Sequence, residues 1–238
     1  MVEYCYYCGD KKTSREHLPP QQIFRGYKVD CMTVPSCAKH NTKKTGDDEA
    51  IVKSMLMALE NGGVSLNDDV KLALEKAKPH YHQVKRKVSE RTLYKQNDKD
   101  YDFIILNPEI NLSDWIRKLS AGLIYYKTKF FDCNNQFANS IVFERNSYRN
   151  HETPKDLSFY EEEYNRKMEL VRLLDNVDWI NGWNDTKNKY PETLYAFYYS
   201  FICKKNIMIK HIFYQQFTHV NLIELSDETL INLKQKLI

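Results

Sequence analysis

The chain has 238 residues, of which 42% are hydrophobic, and a formal net charge of +3. This length allows one large domain or two small ones, and the hydrophobic fraction is sufficient for a buried core. Only 7 glycines and 7 prolines occur, which excludes a collagen-like chain or a long flexible one. The small positive charge weakly favours a polyanionic partner.

The first residues, MVEYCYYC, contain neither a basic segment nor the apolar segment of a secretory signal. No apolar run approaches the roughly 18 residues that a membrane helix needs. These observations predict a cytoplasmic protein without membrane association. In that compartment the 6 cysteines are expected to bind metal or act in catalysis, and not to form disulfides.

The first third of the chain predicts a metal-dependent segment followed by two helices. Residues 1–46 are rich in Cys, His, Lys and turn formers, and they need a metal to become stable. Apolar residues at helical spacing predict an amphipathic helix over 48–60, which Asn61-Gly62-Gly63 ends. A shorter helix is expected over about 66–78, before Pro79, and the polar residues 80–100 are expected to form a solvated loop or helix face.

The remaining sequence predicts a mixture of helices and antiparallel strands. Strands are expected at 101–106, 137–143, 193–203 and 207–217, and helices at 113–127, 157–174 and 226–237. The last two strands flank Lys204-Lys205-Asn206 and are expected to form a hairpin. Ser226 or Asp227 would cap the final helix. The sequence therefore predicts an α+β fold with two domains, residues 1–63 and residues 64–238.

Two ligand pairs near the N-terminus have the spacing of a zinc site. Cys5-x-x-Cys8 and Cys37-x-x-His40 together offer three thiolates and one imidazole, a set that suits tetrahedral zinc. Zinc with four protein ligands has no open position, so its role would be structural. The alternative is that both pairs are incidental, while a redox Cys-x-x-Cys is disfavoured because a turn follows it instead of a helix.

The other cysteines and several histidines lack such a pattern. Cys31 has no partner at ligand spacing, and Cys133 and Cys203 are expected to be ordinary buried thiols. His211 and His219 show no pattern that indicates a site.

The order C-x-x-C-G, E-H-x-x-P and P-S-C-x-x-H-N-x-x-K over residues 5–48 resembles the HNH endonucleases. The resemblance implies an N-terminal zinc-stabilised ββα-metal finger, followed by a mixed helix and antiparallel-sheet region that positions a substrate or partner. His17 matches the general base that activates water, a task that suits a side chain titrating near neutral pH. Glu16 and Asn41 match the ligands of a catalytic Mg²⁺ or Mn²⁺ ion, and Lys44 would contact phosphate.

One family position is not filled. The middle asparagine, which braces the loop behind the histidine, is absent from the segment Asp30-Cys31-Met32-Thr33, where Asp30 or Thr33 would have to replace it. This departure leaves open a different function, in which the finger is a non-catalytic zinc module that binds nucleic acid or a partner protein.

The expected partner is DNA, and the sequence does not distinguish DNA from RNA. Contacts to nucleic acid are predicted at five basic residues, Lys43, Lys44, Lys85, Arg86 and Lys87, although a solvated surface explains the last three equally well. HNH nucleases also act as effectors in antiphage and mobile-element systems. The chain has no Walker-type loop, so such a role would need a separate ATPase or sensor subunit.

Overall fold

The computed structural model describes most of the chain, with several gaps: residues 3–41, 45–61, 65–83, 88–96, 99–106, 112–129, 141–146, 174, 176–182, 190–202 and 205–237. This part of the protein contains four α-helices and three antiparallel sheets. The predicted α+β class is therefore confirmed.

The N-terminal segment is built on a two-stranded hairpin. Strands β1 (Ser14–Leu18) and β2 (Met32–Ser36) pair antiparallel, with His17 opposite Thr33. Pro19 follows β1 directly, and the strand ends there because proline cannot donate to a ladder. A 3-10 turn at Gln21–Phe24 then buries Ile23 and Phe24.

Two helices follow the hairpin. Helix α1 (Thr45–Asn61) and helix α2 (Asp68–Ala77) confirm the two predicted amphipathic segments. The Asn67 side chain caps α2 by accepting a hydrogen bond from the Val70 amide at 2.9 Å.

The polar segment after α2 differs from the expected loop or helix face. A 3-10 helix at Lys78–Gln83 leads to strand β3 (Val88–Gln96), which pairs antiparallel with β4 (Lys99–Leu106). The strand was not predicted because residues 80–100 are mostly polar and charged, and strands are recognised from sequence chiefly by the alternation of apolar and polar residues. Helix α3 (Leu112–Thr128) then confirms the predicted apolar-striped helix.

A five-stranded antiparallel sheet forms most of the C-terminal region. Its order is β5-β9-β8-β7-β6, with strands β5 (Ile141–Asn146), β6 (Ile180–Asn181), β7 (Tyr195–Phe201), β8 (Asn206–Phe213) and β9 (Phe217–Glu224). The β7–β8 hairpin is confirmed. The prediction of one strand over 207–217 is wrong, because the chain reverses at 214–216 and returns as β9.

The chain closes with helix α4 (Asp227–Leu237), capped by Ser226, whose hydroxyl accepts a hydrogen bond from the Thr229 amide at 3.2 Å. This result confirms one of the two predicted caps. The predicted helix at 157–174 lies outside the described residues except for its last position. No helix in the described part of the chain combines the length and apolarity needed to span a bilayer.

One hydrophobic core contains residues from both predicted domains. Leu18 of β1 lies so close to Gly122 of α3 that a Cβ added there would be 2.4 Å from Leu18 Cδ1. The Trp115 indole donates a buried hydrogen bond to Asp48 at 2.5 Å. The hairpin therefore rests on α3, and the proposed division at residue 63 stays a prediction.

Candidate metal centre

The first ligand pair sits in a tight turn. The Cys5 amide donates to the Asp10 carbonyl at 2.7 Å, and the Gly9 amide donates to the Cys5 carbonyl at 3.0 Å. Gly9 has a φ of 73°, a left-handed conformation that glycine adopts without steric cost. Within this turn the Cys5 side chain is buried, whereas that of Cys8 is partly exposed.

The second pair follows the end of β2. The amides of His40 and Asn41 both donate to the Cys37 carbonyl, at 3.1 and 3.0 Å, so the chain curls back on the ligand. The strand ends at Ser36, and helix α1 begins at Thr45. Asn41 lies between them in a turn.

The two turns are joined through β2. The Tyr6 amide donates to the Pro35 carbonyl at 2.9 Å, and the Thr13 amide donates to the Ser36 carbonyl at 3.0 Å. These bonds extend the hairpin with the first turn and bring the two ligand pairs together.

The four predicted ligands form a group that could hold a metal ion. Their ligand atoms all lie within 4.8 Å of one another. The Cys8 and Cys37 sulfurs are 3.7 Å apart, and His40 Nδ1 lies 3.3 Å from Cys37 Sγ and 3.7 Å from Cys5 Sγ. A zinc tetrahedron with ordinary bond lengths has edges of about 3.8 Å between sulfurs and about 3.6 Å between sulfur and nitrogen. The three measured separations are close to these edges, so the group is consistent with a zinc site.

Burial and neighbouring groups shift the pKa values of three of the four ligand residues. Burial raises the pKa of Cys8 to about 12. Burial also acts to raise the pKa of Cys37, but the His40 amide and the neighbouring thiols outweigh it and lower that pKa. Burial, followed by the charges of Lys118 and Lys39, lowers the pKa of His40, which keeps its imidazole neutral as a ligand must be.

Tyr7, which lies between the two cysteines of the first pair, connects the ligand group to α3. The Tyr7 ring packs edge-on against the His40 ring, with centroids 5.0 Å apart, and its hydroxyl donates to Asp114 at 3.2 Å. Asp114 also pairs with Lys118 at 2.5 Å. This contact could not be predicted from the sequence because Tyr7 and Asp114 are far apart in the chain.

Glu16 and His17 are adjacent on β1, so their side chains point to opposite faces of the strand. His17 is exposed, whereas Glu16 is only 4% exposed. Glu16 faces the metal centre, where its Oε2 accepts a hydrogen bond of 3.4 Å from the Ser36 hydroxyl. The implied roles of both residues stay predictions.

Asn41 contacts the strand that carries His17. Its Nδ2 donates to the Ser14 hydroxyl at 2.8 Å and to the Arg15 carbonyl at 3.0 Å. From the other strand, Thr33 accepts hydrogen bonds from the Arg15 side chain at its hydroxyl and its carbonyl, at 2.9 and 3.2 Å. Asn41 and Thr33 thus both brace β1 just before His17. Asp30, the other candidate to replace the middle asparagine, is exposed.

The remaining predicted sites lie elsewhere. All five predicted nucleic-acid contacts fall outside the described residues, and so do two of the cysteines: Lys43, Lys44, Lys85, Arg86, Lys87, Cys133 and Cys203. Cys31 is buried and separate from the metal group, and burial raises its pKa to about 12.

Sequence reasoning missed a buried polar cluster between α3 and the five-stranded sheet. His211 hydrogen-bonds the Ser120 hydroxyl at 2.8 Å and the Tyr195 hydroxyl at 2.9 Å. His219 lies opposite it on β9, and both of its ring nitrogens, like the Asn221 amide, are buried without a hydrogen-bond partner. His219 and Asn221 are two residues apart on β9, so their side chains lie on one face of the strand. The sequence indicates this only if a strand is predicted at 217–224.

Comparison with known proteins adds no relative: no family model, curated protein or solved structure matches this chain.

Proposed function

We propose that the protein is a metal-dependent endonuclease of the HNH type, which hydrolyses phosphodiester bonds of DNA with His17 as general base. The observation that carries the proposal is the exposure of His17 on a strand fixed from several directions. β1 is paired with β2, braced by Asn41 and Thr33, and packed through Leu18 on α3.

This arrangement suits general-base catalysis. A base must be held in place to gain effective molarity, and it must also be open to water and substrate. His17 meets both conditions, because its backbone lies within a paired strand while its ring faces solvent.

The proposed reaction is the addition of water across a phosphodiester. The His17 imidazole accepts a proton from water as the water oxygen forms a bond to phosphorus, and the bond between phosphorus and the leaving sugar oxygen breaks. A divalent ion would stabilise the charge that develops on the phosphate and on the leaving oxygen. Asn41 offers such an ion an amide oxygen near β1, whereas the burial of Glu16 disfavours its contact with a hydrated ion.

The metal group has a separate role in this proposal. Cys5, Cys8, Cys37 and His40 would hold a structural zinc, because four protein ligands leave no position for water. The zinc would fix the two turns to the hairpin and so hold the strand that carries His17.

Plasmid nicking tests the proposal. We expect the purified protein to relax supercoiled DNA with Mg²⁺ or Mn²⁺, to lose this activity with EDTA, and to lose it again in His17→Ala. Because His17 is exposed and is not a member of the metal-ligand group, the variant should keep its zinc content and thermal stability. Cleavage by His17→Ala at the wild-type rate would refute the assignment of the base.

The alternative function is a zinc module that binds nucleic acid or a partner protein without cleaving. The absence of the middle asparagine favours it. If the protein binds DNA tightly but does not cleave it with any divalent ion, the alternative function is supported. A dependence of cleavage on an added ATPase or sensor subunit would instead support the effector role in antiphage defence.

A further inference from the structure

Tyr7 lies between the two cysteines of the first ligand pair and contacts a ligand of the second pair. Its ring packs edge-on against the His40 ring, with centroids 5.0 Å apart and an angle of 65° between the ring planes. An imidazole binds zinc through one ring nitrogen, and the groups around such a ring fix its orientation. The Tyr7 ring is therefore placed to restrict the rotation of the His40 side chain.

The other end of Tyr7 is held by the first turn of α3. Its hydroxyl donates to Asp114 Oδ1 at 3.2 Å. Lys118, one turn further along α3, pairs with Asp114 Oδ2 at 2.5 Å and places its ammonium group 5.6 Å from the centroid of the Tyr7 ring. A hydrogen bond to an ionised carboxylate is stronger than one between neutral groups, and a cation over an aromatic face adds to the attraction. Asp114 and Lys118 thus hold both the hydroxyl and the face of the ring.

The same turn of α3 is also anchored away from the ligand group. Trp115, the residue after Asp114, is buried and donates its indole hydrogen bond to Asp48 of α1 at 2.5 Å. Further along the helix, Gly122 lies against Leu18 of β1. These two contacts hold α3 against the N-terminal segment, so the helix is a fixed support for the Tyr7 hydroxyl.

We propose that Tyr7 is a positioning residue of the metal centre, which holds the His40 ring in the orientation that binds zinc and is itself supported by Asp114 of α3. Zinc binding and the packing of α3 on the N-terminal segment are then coupled, and by thermodynamic linkage each strengthens the other. The inference rests on the proposed metal role of the four ligands and does not depend on DNA cleavage.

Competition for Zn²⁺ with a chromogenic chelator tests the role of Tyr7 on the full-length protein. Tyr7→Phe keeps the ring against His40 and removes the hydrogen bond to α3, so we expect it to bind Zn²⁺ several-fold more weakly than the wild type. Tyr7→Leu also removes the ring, and we expect a loss of about tenfold or more. Tyr7→Phe keeps the test decisive if Tyr7→Leu does not fold.

Asp114→Ala tests the same hydrogen bond from the side of α3. We expect it to weaken Zn²⁺ binding about as much as Tyr7→Phe does. The two changes should be less than additive in the double variant, because both remove one shared hydrogen bond.

The chain offers a matched control in Tyr27→Phe. The Tyr27 hydroxyl donates to Asp69 in the first turn of α2, which is the same kind of bond between the N-terminal segment and a helix. Tyr27 lies in the loop between β1 and β2, outside both ligand turns. Tyr27→Phe should therefore lose a similar amount of stability in urea and keep the Zn²⁺ affinity of the wild type.

Amide hydrogen exchange tests the coupling from the side of the helix. Adding Zn²⁺ should slow exchange in the N-terminal half of α3 in the wild type, and the slowing should be smaller in Tyr7→Phe. A tyrosine that only added general stability would change exchange to the same extent with and without Zn²⁺.

Two results would overturn the proposal. If the wild type binds Zn²⁺, and Tyr7→Phe and Tyr7→Leu bind it equally well, Tyr7 does not position His40 and this inference alone fails. If the wild type binds no Zn²⁺, the metal role of the four ligands fails and the inference fails with it.

Discussion

The protein buries histidines in two regions that use them in opposite ways. In the metal centre, His40 directs Nδ1 at two thiols of a converging group. Under the five-stranded sheet, the ring nitrogens of His211 are occupied by the hydroxyls of Ser120 and Tyr195, and those of His219 have no partner. Burial lowers the pKa of all three. Convergence of ligand atoms, and not burial, therefore distinguishes a metal site from a polar core.

The largest effect should come from removing one metal ligand. We expect Cys37→Ala to abolish zinc binding and unfold the hairpin segment, because metal binding supplies folding free energy on the order of 10 kcal/mol in small zinc sites. Metal analysis and thermal unfolding would measure both losses. Cys31→Ala is the control, since Cys31 is equally buried but outside the group. Retention of one zinc per chain by Cys37→Ala would contradict the metal assignment.

The sheet histidines should make the fold acid-sensitive. Burial lowers the pKa of His211 to about 3, with the His219 charge adding to it, and lowers the pKa of His219 to about 4. Because an unfolded histidine titrates near about 6.5, the unfolded state binds more protons below that pH. Stability should fall by about 1 kcal/mol per histidine between about pH 7 and pH 5.5. Stability continues to fall as the pH decreases toward the pKa values of the two histidines in the folded protein.

Urea unfolding at a series of pH values measures this loss. His219→Phe removes one of the two titrating groups and should reduce the pH dependence while leaving the metal centre unchanged. An unaltered pH dependence in this variant would assign the acid sensitivity to other groups.

The packing of Leu18 of β1 against Gly122 of α3 predicts a smaller effect on stability. Gly122→Ala would place a Cβ against both terminal carbons of the fully buried Leu18. Overpacking costs about 1–3 kcal/mol, partly offset by about 1 kcal/mol from the better helix propensity of alanine. Equilibrium unfolding in urea measures the net loss. The double variant with Leu18→Val should recover part of it, because valine leaves room for the added methyl group.

Asn41→Ala should have the smallest effect on stability. The variant loses two hydrogen bonds in a partly exposed turn, at a cost of about 1 kcal/mol. Unfolding in urea would measure the cost, and Thr33→Val, which removes the other brace of β1, serves for comparison. A loss of several kcal/mol would mean that Asn41 supports the metal centre itself.

Local spacing was sufficient to predict the metal ligands. Each pair is formed by residues three positions apart, and its geometry depends on a turn that the sequence shows. Glu16 was harder to interpret, because an alternating strand does not reveal which face is covered. That face is shown by the hydrogen bond from Ser36 to Glu16 and by the packing of Leu18 on Gly122, which joins positions distant in the chain.

The error at β9 has a similar origin. The reversal between β8 and β9 contains no glycine, proline or asparagine, and both Tyr214 and Gln215 adopt left-handed φ angles, of 54° and 59°. Such angles normally favour glycine or asparagine in tight hairpins. The Tyr214 side chain is buried and donates to the Ile23 carbonyl at 3.3 Å, so tertiary contacts hold a turn that the local sequence does not indicate.

The packing of β1 against α3 limits the transfer of the N-terminal segment to another protein. A fragment ending at residue 63 would expose Leu18 and leave the buried Asp48 without its Trp115 donor. Transplanting the metal-binding hairpin into another scaffold would therefore require a helix with a small residue at the position of Gly122 and an indole about two turns before it, at the position of Trp115.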